Sequence, residues 1–321
     1  GSVPLAAGEV LRALLEGPDG GPAARIVYSL RLPRTLTALS GGAALATAGL
    51  LMQTLFANPL AGPSILGVNA GASLMVSLVV LGSAASPFSP FSEAASAGLP
   101  GALAVAVAAA SGAVVVLLIL LLLARRVRDV ASLLLLGVLL GFLGNGIVSI
   151  LVQFARPGAV QSYLGWTYGS FAATRSGGLL VLVAASVGGI AAAAALAPRL
   201  DAFLLGEVYA ESIGVPVRRS RGIFVVLAGA LAGTVTAVAG PISFVGVAAP
   251  HLARAVAGRA THRHLLPMAT CTGAMLALGA DIIARMPGVS AVLPLNAVLA
   301  IAGTPILAWV ILRVSTWWQA S

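Results

Sequence analysis

The stretch ASLLLLGVLLGFLGNGIVSILVQF, residues 131–154, runs for 24 residues without a charged side chain. A helix of that length rises about 36 Å, enough to cross the roughly 30 Å hydrocarbon core of a bilayer. Its small and polar members Gly141, Asn145, Ser149 and Gln153 recur every four residues and fall on one helix face. An Asn and a Gln turned towards lipid would be costly. That face therefore points at another helix or at a water-filled path. Two readings follow for it: helix-packing glue, or the lining of a translocation path at a dimer axis.

Working outward from this run, eight further apolar runs lie near 34–56, 60–81, 100–124, 177–197, 222–240, 243–257, 265–285 and 293–312. The run at 243–257 is short, and the one at 60–81 is interrupted by Pro and Gly near its start. Composition agrees: 59% of residues are hydrophobic, 8% are charged and the mean hydropathy is +1.05. A soluble domain carries roughly 25% charged residues. The expectation is an all-α, polytopic transmembrane helical bundle forming a single domain over residues 1–321, with nine spans. Residues 1–33, weakly apolar and holding Pro4, Pro18 and Pro22, read as an extracytoplasmic loop with a short helix at 7–16. A tenth span is expected ahead of Gly1.

All 18 basic residues are Arg. Without Lys the chain cannot hold a Walker-type phosphate loop, so any ATP energy must come from another subunit. The Arg residues sit in the gaps between apolar runs, which suits the positive-inside rule and not nucleic-acid binding. If the runs alternate, 11 Arg fall on one side, including Arg125, Arg126, Arg128, Arg218, Arg219 and Arg221, against 7 on the other, including Arg31, Arg34 and Arg285. The richer side is assigned to the cytoplasm.

Two gaps differ in character. Residues 82–99 are rich in Ser, Pro and Ala and read as a flexible outside loop. Residues 198–221, PRLDAFLLGEVYAESIGVPVRRSR, carry Glu207 and Glu211 four apart, then Gly214 and Pro216. They read as a short helix, a turn and a second short element on the cytoplasmic surface.

Other features are sparse. Ala38, Gly42 and Ala46 form a small-residue stripe of the kind that lets membrane helices approach closely. Asp281 and Arg285 are four apart and read as a local ion pair. His251 lies in the seventh run, while His262 and His264 fall in a cytoplasmic loop; structural roles are assigned to them, with no metal site. Cys271 reads as a small buried residue. Soluble catalytic constellations such as H-E-x-x-H and G-x-S-x-G are missing, which argues against an intramembrane enzyme. A secondary transporter or channel without an ATPase partner is the remaining alternative. The near-absence of ionisable residues within the spans argues against it.

The segments RLPRTLTALSGGAALATAGLLMQTLFANPLAGPSILGVNAGASL (31–74), LLLLGVLLG (133–141), LLGEVYAESIGV (204–215) and AGPISFVGVAAPHLAR (239–254) resemble those of the FecCD-type permeases, which import iron–siderophores, haem and cobalamin. The resemblance covers nearly the whole chain. It implies ten helices per subunit and a homodimer or pseudodimer in the bacterial inner membrane, bound to two cytoplasmic ATPases and one extracytoplasmic binding protein. ATP and Mg would belong to the ATPases, with no cofactor in this chain. By motif, Arg31, Arg34 and Arg285 would face the binding protein. Asn58, Pro59 and Leu60 would form an inner gate. A second gate would fall near Val130 and Ala131, where Ser132 is the nearby hydroxyl. Gly206, Glu207, Ala210 and Gly214 would belong to the element that couples to the ATPase. One departure stands out: Asn296 in VLPLNA (292–297) replaces a Gly common in the family.

Overall fold

The computed structural model describes residues 5–82, 99–124, 126–127, 130–173, 176–258, 261–285 and 292–318. The described residues are helical, with no strand among them. In chain order the helices are α1 (Ala7–Glu16), α2 (Pro22–Ile26), α3 (Leu32–Leu55), α4 (Val68–Val80), α5 (Leu99–Ala124), α6 (Val130–Phe154) and α7 (Pro157–Thr167). There follow α8 (Ser176–Ala195), α9 (Ala197–Leu204), α10 (Glu207–Ser212), α11 (Val217–Ala239), α12 (Val245–Ala257), α13 (His262–Ile283) and α14 (Leu295–Trp318). A π-helical turn, Val27–Arg31, leads from α2 into α3.

All nine expected runs are helical. Among the described residues six helices are long and apolar enough to cross a membrane, and α4, α12 and the apolar part of α14 are shorter. α4 is short because Gly67, in the left-handed region at φ 71°, separates it from a 3-10 turn at Pro63–Leu66. α7 was not expected; Pro157 starts it where the sequence reads as a gap. Arg218, Arg219 and Arg221 belong to the first turns of α11 and not to the preceding gap. The 82–99 loop and Arg125, Arg128, Arg175 and Arg259 fall almost wholly outside the described residues.

α3 is the centre of the bundle. Gly41, Gly42 and every residue from Ala44 to Leu55 are buried. It packs against α13, α11, α8 and α12. Such packing requires backbones to touch, because lipid gives no hydrophobic reason for apolar helices to associate. A Cβ on Gly49 would lie 2.5 Å from the carbonyl carbon of Gly246 in α12, and one on Gly112 in α5 would lie 2.6 Å from that of Gly71 in α4. The stripe Ala38, Gly42, Ala46 is buried, as its spacing predicts. A second cluster joins α4, α5, α6 and α7 through Ala72, Val76, Ala109, Val148 and Tyr163.

The outer faces carry the reverse pattern. Leu118 and Leu122 of α5, Leu143 and Ile150 of α6, and Leu180 and Val187 of α8 are all exposed. Exposed apolar surface on this scale suits lipid or another subunit, not water. Cys271 belongs to such a face: it is exposed, not buried as its apolar surroundings suggest, because those surroundings are the outer surface of α13.

Candidate functional site

α3 and α13 run antiparallel and are tied at both ends. At one end Arg34 Nε donates to Asp281 Oδ1 at 3.0 Å, and its Nη2 reaches the same oxygen. The side chains are 13% and 14% exposed. Asp281 thus pairs across helices with Arg34, in place of the expected local pairing with Arg285. Spacing alone offered Arg285 one turn away, while the true partner is 247 residues distant in sequence. Arg285 closes the same end of α13, with its Nε buried and unbonded among the described residues. The structure therefore brings Arg34 and Arg285 to one end of the bundle. Arg31 lies in the turn just before α3.

Between the ends, a groove of about 350 Å³ is lined by Gly141 and Asn145 of α6 together with Ser64, Asn69, Ser73 and Ser243. Ser149 and Gln153 continue along the same exposed face of α6, beyond the lining residues. Asn69, Ser73 and Ser243 were not singled out from sequence, since each stands alone in an apolar run or loop. Asn69 Oδ1 accepts from Thr236 Oγ1 at 3.0 Å.

The loop that carries Ser243 is held by Asn296. Its Nδ2 donates to the carbonyls of Pro241 at 2.7 Å and Thr167 at 3.0 Å, while Oδ1 accepts the Ser243 N–H at 3.1 Å. The unusual Asn thus joins the start of α14 to the end of α7 and to the groove. The next residue, Phe244, is held at φ 74°, a conformation that costs a bulky residue of order 1–3 kcal/mol.

At the other end, the chain leaves α3 through a tight turn. Ala57 sits at φ 44°, and the Asn58 side chain accepts the Leu60 N–H at 2.9 Å. His251 of α12 lies with Nε2 2.7 Å from the Pro59 carbonyl. The structural role read for His251 is thus a specific one: it clamps the Asn58–Pro59–Leu60 turn. Its signal in the sequence was the Pro250–His251 pair. Ser132 is partly buried near the start of α6. His262 is not in a loop: it is the first residue of α13 and fully buried, against Asp201 and Thr54.

The same end carries α9 and α10. Gly206 at φ 96° and Gly214 at φ 85° make the turns that bracket α10, which only Gly adopts without strain. Ala210 is buried, and Glu207 is held by both oxygens to Arg221 Nη2 at 2.8 and 2.9 Å. These four residues shape the element from within. Four large apolar side chains stand out from it, Leu204, Leu205, Val208 and Ile213, each 55–85% exposed, beside the exposed Tyr209, Glu211 and Ser212.

The sequence model of the FecCD transport family matches residues 1–313. The chain is 36% identical over 292 residues to the vitamin B12 import system permease protein BtuC of Klebsiella pneumoniae, covering 89% of this chain and 82% of that one. It is 34% identical over 312 residues to the Fe(3+) dicitrate transport system permease protein FecC of Escherichia coli K12, covering 97% and 90%. Among solved structures it is similar to an inward-facing metal-chelate type ABC transporter, with TM-score 0.80 and 27% identity over 95% and 96% of the two chains. PsaBC from Streptococcus pneumoniae, with TM-score 0.53 and 12% identity over 95% of each chain, shares the fold. Its relatives by sequence are transport permeases and not enzymes, and the match runs almost end to end: this chain belongs to the FecCD transport family.

Proposed function

We propose that the chain is the permease subunit of an ATP-binding-cassette importer in the bacterial inner membrane, moving a metal chelate or corrinoid into the cytoplasm by alternating access. It works as a homodimer, with two cytoplasmic ATPases and one extracytoplasmic binding protein, and the whole of residues 1–321 forms one permease domain. The observation that carries this reading is the α9–α10 element. It exposes Leu204, Leu205, Val208 and Ile213 on a segment that also holds Arg199, Asp201, Glu207 and Glu211. Charges at that density do not enter hydrocarbon, so the apolar face calls for a protein partner. A cytoplasmic ATPase meets that requirement. Residues 198–221 are then cytoplasmic and residues 1–33 extracytoplasmic.

In this frame Arg31, Arg34 and Arg285 line the outer rim for docking. The groove with Gly141 and Asn145 opens towards the dimer axis, with Ser149 and Gln153 extending it. The turn at Asn58–Leu60 closes the inner end, with Ser132 near a second constriction. The relatives are named for vitamin B12 and ferric dicitrate, which supports a bulky chelate as the substrate class. Co-expression with the cognate ATPase tests the assignment. Stable co-purification from membranes is expected, and loss of the ATPase from Val208→Asp. A permease that purifies alone from such cells would count against it.

A further inference from the structure

A chain of hydrogen-bonded polar groups crosses from α9 to the end of α3. Asp201 Oδ1 accepts the backbone N–H of His262 at 2.8 Å and lies 2.7 Å from the ring Nδ1. A carboxylate oxygen can only accept, so in the neutral ring Nδ1 carries the proton and Nε2 is left as an acceptor. Nε2 lies 2.8 Å from Thr54 Oγ1, and Thr54 is therefore the donor. His262 is fully buried and Thr54 is 3% exposed. Two other threonines of α3 use their hydroxyls differently. Thr37 and Thr47 bond the carbonyls four residues back, at 2.7 and 2.9 Å, whereas Thr54 reaches across to α13.

What Thr54 holds is the turn beyond it. Its carbonyl accepts the N–H of Ala57 at 3.3 Å, and the carbonyl of its neighbour Gln53 accepts that of Asn58 at 3.2 Å. The Gln53 side chain is fixed in turn by Arg254 Nη1 and by the Val247 carbonyl. At its outer end the chain begins on Asp201, a third exposed, one turn before the Leu205–Gly206 corner that leads into α10. Apolar contacts can slide; a hydrogen-bonded chain with every member satisfied has one geometry, and a displaced member leaves a buried polar atom unpaired.

We propose that Asp201, His262 and Thr54 form the rigid link by which a displacement of the α9–α10 element reaches the gate turn at residues 56–60. The three are positioning residues. The proposal rests on the importer reading, in which an ATPase moves α10.

The test uses the permease–ATPase complex in lipid vesicles, with Leu60→Cys on a Cys271→Ser background. The labelling rate of Cys at position 60 by a water-soluble maleimide is compared without nucleotide and after trapping with ATP and vanadate. The reference complex is expected to change its rate by about fivefold or more. Thr54→Val keeps the side-chain shape but not the hydroxyl; its response should fall below about twofold while ATP hydrolysis continues. Thr54→Ser should restore the response. Asp201→Ala should behave as Thr54→Val and Asp201→Asn, which keeps the acceptor, as the reference. This second pair decides the matter if Thr54→Val assembles poorly. A full response in Thr54→Val or Asp201→Ala overturns the link. A reference complex that hydrolyses ATP with no change at position 60 overturns the importer reading of the gate itself.

Discussion

Gly42 of α3 and Gly273 of α14's neighbour α13 meet backbone to backbone: a Cβ on Gly42 would lie 2.8 Å from the carbonyl carbon of Gly273 and 2.6 Å from Cβ of Ala277. The two helices cannot accept a side chain here without moving apart. Gly273→Val is expected to lower the melting temperature of the detergent-solubilised protein and its yield from membranes, at an overpacking cost of about 1–3 kcal/mol. Gly279→Ala, six residues along the same helix with open space around its Cα, should be neutral or slightly stabilising. Equal behaviour of the two variants would mean that the α3–α13 crossing is looser than described.

The Arg34–Asp281 pair ties Arg34 into the fold. Arg34→Glu places two carboxylates together in a largely buried site and is expected to destabilise by about 1–3 kcal/mol. Exchanging the two residues, Arg34→Asp with Asp281→Arg, should recover much of that loss, as read by thermal melting. Arg31→Glu is expected to weaken binding-protein affinity by about three- to tenfold, and wild-type affinity should fall as salt rises. Unchanged affinity at low salt in Arg31→Glu would move the docking surface elsewhere.

Asn296→Ala removes three hydrogen bonds from one side chain and leaves the Thr167 and Pro241 carbonyls and the Ser243 N–H without it. A loss of about 1–3 kcal/mol is expected. Faster proteolysis in the 240–244 loop should accompany it. Protease resistance equal to wild type would show that the loop is held by other means.

Much of this fold was legible because lipid imposes a single simple rule. A run of about 20 apolar residues has few options other than a spanning helix, and each of the nine runs is helical. The small-residue stripe at Ala38, Gly42 and Ala46 was legible for the same reason, since four-residue spacing marks one face. What sequence hid was pairing at long range. Asp281 chose Arg34 over Arg285, and His262 turned from a loop residue into a buried one through Asp201 and Thr54. Hydropathy also does not tell lipid from core, so Cys271 was placed inside when it faces out. The motif residues Gly206, Glu207, Ala210 and Gly214 fall together in and around α10, but Ala210 is buried and Glu207 is held by Arg221, whereas Val208 and Ile213 are exposed.

The α10 face gives the sharpest partner test. Val208→Asp should abolish ATPase co-purification while leaving the permease melting temperature within about 0.5 kcal/mol equivalent of wild type, because Val208 is 85% exposed. Glu207→Arg should lose the ATPase and also stability, since it sets a second cation against Arg221. Retention of the ATPase by Val208→Asp would place the contact on another surface.

Transport through this chain is expected to be driven by a partner ATPase. The direct measurement is uptake of the radiolabelled ligand of the cognate binding protein into vesicles holding permease and ATPase, with the binding protein outside and nucleotide inside. Uptake is expected only when all three components and hydrolysable ATP are present, and none when a non-hydrolysable analogue replaces ATP. Uptake by the permease alone, driven by an ion or substrate gradient, would contradict the account.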